Sequence, residues 1–117
     1  RHHNIVHTKQ TNWHWNLVNR QLSGKISPPY ASSMICAIRC SKNLLDKIFK
    51  YAIKYKTLFL DEAMFNTIAL KNKLKIETID ELSTIEWRKD WKKNDINKNN
   101  LYHPIKNIKK QYEFRKQ

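Results

Sequence analysis

The stretch TLFLDEAMFNTIALKN, residues 57–72, decides the fold prediction, because an apolar segment leads directly into two acids and then into a helical pattern. Residues 58–60 are predicted to be extended, and the apolar residues after Glu62 recur at helical spacing. Asp61 and Glu62 stand out in a chain with 10 acidic and 23 basic residues. Either the two acids form the start of a helix, or one of them is a general base. The rest of the sequence helps to decide between these interpretations.

Length and composition favour one small, helix-rich domain. A chain of 117 residues supports a single modest core, so we expect one domain over residues 1–117. One Gly and three Pro leave few tight turns, which disfavours an all-β architecture. Two cysteines form no disulfide framework and indicate a reducing compartment. We therefore expect a cytoplasmic protein without a transmembrane segment, and peripheral membrane association stays open.

The net charge of the chain indicates an anionic partner but does not identify it. A formal net charge of +13 attracts nucleic acid, an anionic membrane surface or a phosphorylated small molecule. Residues 92–117 form a basic tail rich in Asn and Lys.

Periodicity predicts helices that alternate with short strands. A helix is expected over residues 13–22, a buried strand over residues 34–40, and an amphipathic helix that begins after the N-cap residue Ser41 and ends near residue 56. The helix that begins at Glu62 follows. A strand over residues 74–79, a polar loop and a basic tail with a short helix complete the chain. This order predicts an α/β fold.

The helix after Ser41 is expected to bury one apolar side and to expose one charged side. Its inward residues are predicted to be Leu44, Leu45, Ile48, Phe49, Ala52 and Ile53. Its solvated residues are predicted to be Lys42, Asp46, Lys47, Lys50 and Lys54.

Two interpretations of the acid pair follow from the residues. Asp61 can cap the second helix by accepting a hydrogen bond from the backbone N–H of residue 63 or 64, which is worth about 0.5–2 kcal/mol. Glu62 would then occupy the first helical position. The helix dipole would keep its carboxylate ionised there, as a proton acceptor requires.

The segment YHPIKN, residues 102–107, supplies a second candidate group. His103 and Lys106 lie on either side of Pro104, which stiffens the backbone between them. Such a pair can neutralise a diphosphate leaving group. An ordinary basic tail explains the same residue types equally well.

Aromatic and histidine residues near the start of the chain also allow two interpretations. Trp13 and Trp15 are either core residues, which the pattern favours, or platforms on which a sugar ring or a base stacks. His2, His3 and His7 have no carboxylate or cysteine at ligand spacing, so an exposed basic segment is preferred over a metal site.

The order of these motifs resembles a known enzyme family. ASSMICAIRCSKNLLDKI (31–48), FLDEAMFNTIALKN (59–72), a Trp-bearing loop and YHPIKN (102–107) together resemble the C-terminal half of GT-A-fold glycosyltransferases. This group includes the core-2-type branching N-acetylglucosaminyltransferases and bacterial and viral relatives. The resemblance covers about residues 28–115. It implies a partial, Rossmann-like three-layer α/β fold, with this chain as the acceptor-side part.

The resemblance also implies an activity and roles for residues. The enzyme would transfer a hexosyl or N-acetylhexosaminyl group from a nucleotide-sugar to a hydroxyl acceptor, in polysaccharide or glycan biosynthesis. Glu62 would be the general base. Asp61 would hold the helix and orient that base. His103 and Lys106 would bind the donor diphosphate. If Glu62 is the base, the reaction inverts the anomeric carbon.

Three further expectations come with this resemblance. Trp13 and Trp15 precede the loop, in the region that would line the acceptor site. No Asp-x-Asp motif occurs in the chain, so we expect any Mn²⁺ or Mg²⁺ to be held elsewhere in the full-length protein, in a nucleotide-binding half. The sequence begins at Arg1 without Met, so we expect either a fragment whose first half is missing or a degenerate relative that cannot bind a donor. In both cases the chain is expected to be inactive by itself.

Two other functions compete with sugar transfer. A small basic nucleic-acid-binding module would use lysines on phosphates and aromatic rings on bases, and its affinity would fall steeply with salt. An interaction domain would use the loop with Trp87 and Trp91 as an aromatic anchor.

Overall fold

A computed structural model describes residues 5–6, 13–78, 80, 84–87 and 90–116. Its internal contacts separate into two compact units, an N-terminal unit within His3–Glu77 and a C-terminal unit within Thr78–Gln117. Each unit has its own secondary structure. The single domain expected over residues 1–117 stays a prediction.

The N-terminal unit is built from three helices and one pair of very short strands. Its elements are β1 (Ile5–Val6), α1 (Trp15–Leu22), β2 (Ala31–Ser32), α2 (Lys42–Tyr55) and α3 (Asp61–Lys71). The two strands are antiparallel, with Ile5 opposite Ser32 and Val6 opposite Ala31.

The C-terminal unit contains a second strand pair and one helix. Its elements are β3 (Glu86–Trp87), a 3₁₀ turn (Lys93–Asp95), β4 (Tyr102–His103) and α4 (Ile108–Arg115). The strands β3 and β4 run parallel. The short basic helix expected in the tail is thus confirmed as α4. No helix within the described ranges has the length and apolar character that crossing a bilayer requires.

The helix-rich prediction is confirmed, but the three-layer α/β arrangement is wrong for the described residues. The strand predicted over residues 34–40 is irregular, and residues 36–39 are exposed. The strand predicted over residues 74–79 is also irregular through residue 78, and residue 79 lies outside the described ranges. A strand needs a partner for its backbone groups, and only two-residue pairs form within the described ranges.

The core of the N-terminal unit lies between its three helices. Val18 and Leu22 of α1 are fully buried, as is Ala63 of α3. The helix α3 also buries Met64, Ile68 and Ala69, together with the polar residues Asn66 and Thr67. Because α3 is covered on most of its surface, its sequence reads as nearly continuous apolar residues rather than as a stripe.

The helix α2 begins where expected but faces the core with a different side. Ser41 is its N-cap and accepts a hydrogen bond from the Leu44 N–H at 3.2 Å. Its buried residues are Ile48 and Tyr51, and the predicted inward residues Leu45, Phe49 and Ile53 are exposed.

An aromatic cluster explains the correction. The Tyr51 ring packs against the rings of Tyr55 and Phe59, with centroid separations of 4.7 and 5.3 Å. The aromatic contacts of Tyr51 hold that side of α2 against the core, which leaves Leu45, Phe49 and Ile53 exposed.

Packing in the C-terminal unit centres on Trp91. This residue is 2% exposed, and its ring meets the Tyr102 ring edge-on at a centroid distance of 4.6 Å. A buried indole offers no face to a partner protein, so the proposed aromatic anchor is wrong at Trp91. The side chain of Trp87 lies outside what the structure describes.

Candidate functional site

A pocket of about 380 Å³ lies in the C-terminal unit at the start of α4. Its lining residues are Asp90, Trp91, Pro104, Ile105, Lys106, Asn107 and Lys110. Asn107 is the N-cap of α4, so Lys106 stands just before the helix and Lys110 stands in its first turn. Both lysines line the pocket, although Lys106 lies outside the helix.

One of the two lysines is fixed by direct contacts. The Lys110 Nζ forms an ion pair with Asp90 Oδ1 at 2.6 Å and donates a hydrogen bond to the Trp91 carbonyl at 3.2 Å. Hydrogen bonds from Lys110 and from the Trp91 N–H lower the pKa of Asp90. The pocket therefore contains an ionised carboxylate that partly offsets the Lys110 charge.

The other lysine is available to a ligand. Lys106 is exposed, and no described residue engages its ammonium group in a hydrogen bond or an ion pair. The backbone does not supply a competing anion site, because the Asn107 side chain already accepts the N–H groups of Lys109 and Lys110, at 2.9 and 3.2 Å. Anion binding in this pocket would rest on the lysine side chains.

Of the two residues predicted to bind the diphosphate, one lines the pocket and the other does not. Lys106 lines the pocket, whereas His103 lies in β4 with an exposed side chain and is not a lining residue. Lys110 and Asp90 do line it. The spacing of Lys110 from Lys106 was visible in the sequence, but the contact with Asp90 spans 20 residues and leaves no local pattern.

The acid pair opens α3, although its capping differs from the prediction. Leu60, not Asp61, is the N-cap, and its carbonyl accepts the N–H groups of Ala63 and Met64 at 3.0 and 2.9 Å. The Asp61 carboxylate instead accepts the N–H of Glu62 at 2.9 Å. Asp61 therefore sits inside the helix, and Glu62 occupies its second position.

Backbone contacts fix the start of α3 from two directions. The Leu60 N–H donates to Gln21 Oε1 of α1 at 3.0 Å. The Ser33 N–H donates to the Glu62 carbonyl at 2.9 Å, which ties the segment after β2 to this turn. The half-buried Glu62 is therefore held on a well-connected backbone.

The environment of the Cys36 thiol includes the negative charge of Glu62. Burial raises the pKa of Cys36, the negative charge of Glu62 raises it further, and a backbone hydrogen bond lowers it. Burial likewise raises the pKa of Cys40. Both thiols are free, and these environments disfavour the reactive thiolate.

The two tryptophans predicted to contact an acceptor lie together, but one of them is a core residue. The Trp13 and Trp15 rings are 4.4 Å apart between centroids. Trp15 is 3% exposed, so it has no free face for a sugar, and the core interpretation of this residue is confirmed. Trp13 is half-buried and remains accessible in part.

Across residues 13–78, 80, 84–87 and 90–116, no three His, Cys, Asp or Glu side chains come together as metal ligands. The histidines His2, His3 and His7 fall outside the described ranges. The acid pair belongs to the N-terminal unit and the lysine pocket to the C-terminal unit.

Comparison with known protein families, with curated protein sequences and with solved structures gives no match to this chain.

Proposed function

We propose that this chain is part of a glycosyltransferase and that its lysine pocket binds the diphosphate of a nucleotide-sugar donor. The observation that carries the proposal is the presence of Lys106 and Lys110 in one pocket of about 380 Å³. That volume falls within the range of about 300–1,000 Å³ that is usual for small-molecule sites. The buried Trp91, together with Pro104 and Ile105, supplies the apolar part of the wall.

The lysines would act on the charge that develops during transfer. As the bond between the sugar and the diphosphate breaks, negative charge grows on the departing oxygen. The ammonium group of Lys106 would stabilise that charge, with Lys110 as a second cation whose charge the ion pair with Asp90 partly offsets. His103 does not line this pocket, so any contact that it made with the diphosphate would come from outside the pocket.

Glu62 is the better candidate for the base among the two acids. One oxygen of Asp61 already accepts the Glu62 N–H, and Asp61 is exposed. The half-buried Glu62 carboxylate would take the proton of the acceptor hydroxyl while that oxygen bonds to the anomeric carbon. The transfer would then invert that carbon, and Trp13 would be the accessible aromatic residue on the acceptor side.

The complete enzyme needs more than the described residues supply. Under this proposal, the central sheet of a three-layer fold and any site for Mn²⁺ or Mg²⁺ come from residues outside the described ranges. Binding of the donor diphosphate is therefore the part of the function that this chain can be tested for directly.

A titration with uridine and guanosine diphosphates, their sugar conjugates and inorganic pyrophosphate tests the pocket. We expect Lys106→Gln to weaken nucleotide binding by at least about tenfold, as losing a charge-assisted contact does. Lys109→Gln is the matched control, because Lys109 is a neighbouring exposed lysine that does not line the pocket. Equal losses in both variants, or no nucleotide binding by the wild type, would contradict the proposal.

The net charge of +13 favours one second candidate, a nucleic-acid-binding module. Such a module would bind a single-stranded oligonucleotide with an affinity that falls steeply as salt rises. It would lose similar affinity on substitution of Lys106 or Lys109, whereas the transferase proposal predicts a difference between them. The same two variants therefore separate the two functions.

A further inference from the structure

The outer side of α2 carries three large apolar side chains that the core does not use. Leu45, Phe49 and Ile53 are 49%, 66% and 52% exposed. Their spacing of four residues places them in a row along the helix, which we call the α2 ridge. Ile48 and Tyr51 already provide the buried contacts of this helix. The α2 ridge is therefore an apolar face in addition to the one that folding requires.

Lysines lie beyond both ends of this row, and two more are exposed on the same helix. Lys42 lies three residues before Leu45 and Lys56 three residues after Ile53, so an exposed ammonium group flanks each end of the ridge. Lys50 and Lys54 are exposed on the same helix, and Asp46 is its one acidic residue. No described residue neutralises Lys42, Lys50 or Lys56 in an ion pair.

We propose that the α2 ridge docks on an anionic lipid surface. A helix whose apolar side chains insert at the boundary between headgroups and acyl chains, with lysines beside them, is the usual form of an interfacial membrane contact. The lysine stems can lie along the apolar layer while their ammonium groups reach the lipid phosphates. Each lysine near such a surface strengthens partitioning by roughly fivefold.

Charge and shape favour a lipid surface over two other occupants of the α2 ridge, a second copy of this chain and an acidic protein. A second copy would bring another +13 chain and another lysine-flanked row against the first, with repulsion between them. An acidic protein partner would need a groove shaped to three protruding side chains, whereas a lipid layer closes around any convex row. This proposal does not depend on the glycosyltransferase function.

The test is vesicle co-sedimentation of the full chain at physiological salt. The vesicles are pure phosphatidylcholine or an equimolar mixture of phosphatidylcholine and phosphatidylserine. We expect binding to the anionic vesicles alone, and a loss of at least about tenfold in Phe49→Gln, because that variant removes the most exposed apolar group of the ridge. Because Phe49 is exposed, this variant should keep the wild-type thermal midpoint.

Two matched controls locate the contact. Tyr112→Gln removes an aromatic ring of similar exposure, 59%, from α4 and should bind like the wild type. Lys50→Gln should weaken binding by roughly fivefold. Lys98 is also exposed but lies outside α2, and Lys98→Gln should weaken binding less.

Four results would overturn the proposal. The first is no binding of the wild type to anionic vesicles. The second is equal binding by the wild type and Phe49→Gln, which would leave only general attraction by the net charge. The third is a concentration-dependent dimer in sedimentation velocity that Phe49→Gln abolishes, which would assign the ridge to a second copy. The fourth is Phe49-dependent binding to polyglutamate that exceeds binding to the vesicles, which would assign it to an acidic polypeptide.

Discussion

Thr67 and Ala31 hold α3 and β2 together through a reciprocal pair of hydrogen bonds. Thr67 Oγ1 accepts the Ala31 N–H and donates to the Ala31 carbonyl, each at 3.0 Å. Thr67 is fully buried and Ala31 nearly so. One hydroxyl thus satisfies both backbone groups of a buried residue, in a place where a longer sheet would otherwise do so.

We expect Thr67→Val to lower the free energy of unfolding by about 2–6 kcal/mol, because the isosteric side chain leaves the Ala31 N–H and the Ala31 carbonyl buried without a partner, at about 1–3 kcal/mol each. Thr67→Ser is the control, since it keeps the hydroxyl and loses only a methyl group, at a cost of about 1 kcal/mol. Urea denaturation followed by circular dichroism measures both variants. A valine variant as stable as the serine variant would contradict the role assigned to this bond pair.

Two tyrosines on α2 provide a second stability prediction with opposite signs. The Tyr55 hydroxyl donates to the Lys25 carbonyl at 3.1 Å, whereas the buried Tyr51 hydroxyl has no hydrogen-bond partner among the described residues. Tyr55→Phe should lower the free energy of unfolding by about 0.5–1.5 kcal/mol. Tyr51→Phe should raise it by about 1 kcal/mol, because it removes an unsatisfied buried group. Thermal melts of the two variants, which keep the same aromatic packing, test the difference, and a loss of stability in Tyr51→Phe would show that its hydroxyl is bonded.

The proximity of Glu62 to Cys36 is testable through thiol chemistry. Glu62 contributes to the raised pKa of Cys36, so Glu62→Gln should lower that pKa and speed alkylation by iodoacetamide at mildly alkaline pH. Cys40 is an internal reference, because burial is the cause of its own raised pKa. Mass spectrometry of both peptides gives the ratio of the two rates. An unchanged ratio would show that the Glu62 carboxylate does not face Cys36.

Local signals account for what the sequence predicts well, and non-local contacts account for what it does not. The start of α2 is predicted because Ser41, a residue type that favours the N-cap position, precedes the apolar repeat that begins at Leu44. The helix α3 is predicted from the helical spacing of the apolar residues after Glu62. The core side of α2 was missed because apolar residues cover two adjacent sides of that helix. Only the contact of Tyr51 with Phe59 selects between them.

In the candidate site, too, the sequence predicts a single residue but not a contact between residues that are far apart in the chain. Lys106 was predicted to bind the diphosphate, and it lines the pocket together with Lys110. The contact between Asp90 and Lys110 depends on how the C-terminal unit folds. The strands predicted over residues 34–40 and 74–79 are wrong for a similar reason. A strand needs a partner strand, and the composition of a segment does not show whether a partner is present.

The ion pair between Asp90 and Lys110 gives a final prediction about charge in the pocket. Asp90 competes with an anionic ligand for Lys110, so Asp90→Asn should raise the affinity for pyrophosphate by about two- to fivefold, the range of exposed ion pairs. Asp90→Ala should do the same, because it too removes the charge. A decrease in affinity in both variants would show that Asp90 positions Lys110 for the ligand rather than competing with it.

The same pair fixes the sign of a pH dependence. The pKa of Asp90 is lower in the folded chain than its ordinary value of about 3.9. Its contribution to stability is therefore fully present above that value and is lost as the pH falls through the lower, folded pKa. The stability difference between the wild type and Asp90→Asn should be constant from about pH 7 to pH 5 and should shrink in stronger acid. Urea denaturation at several pH values measures that difference, and a difference that grew in acid would mean that Asp90 is not stabilised in its ionised form.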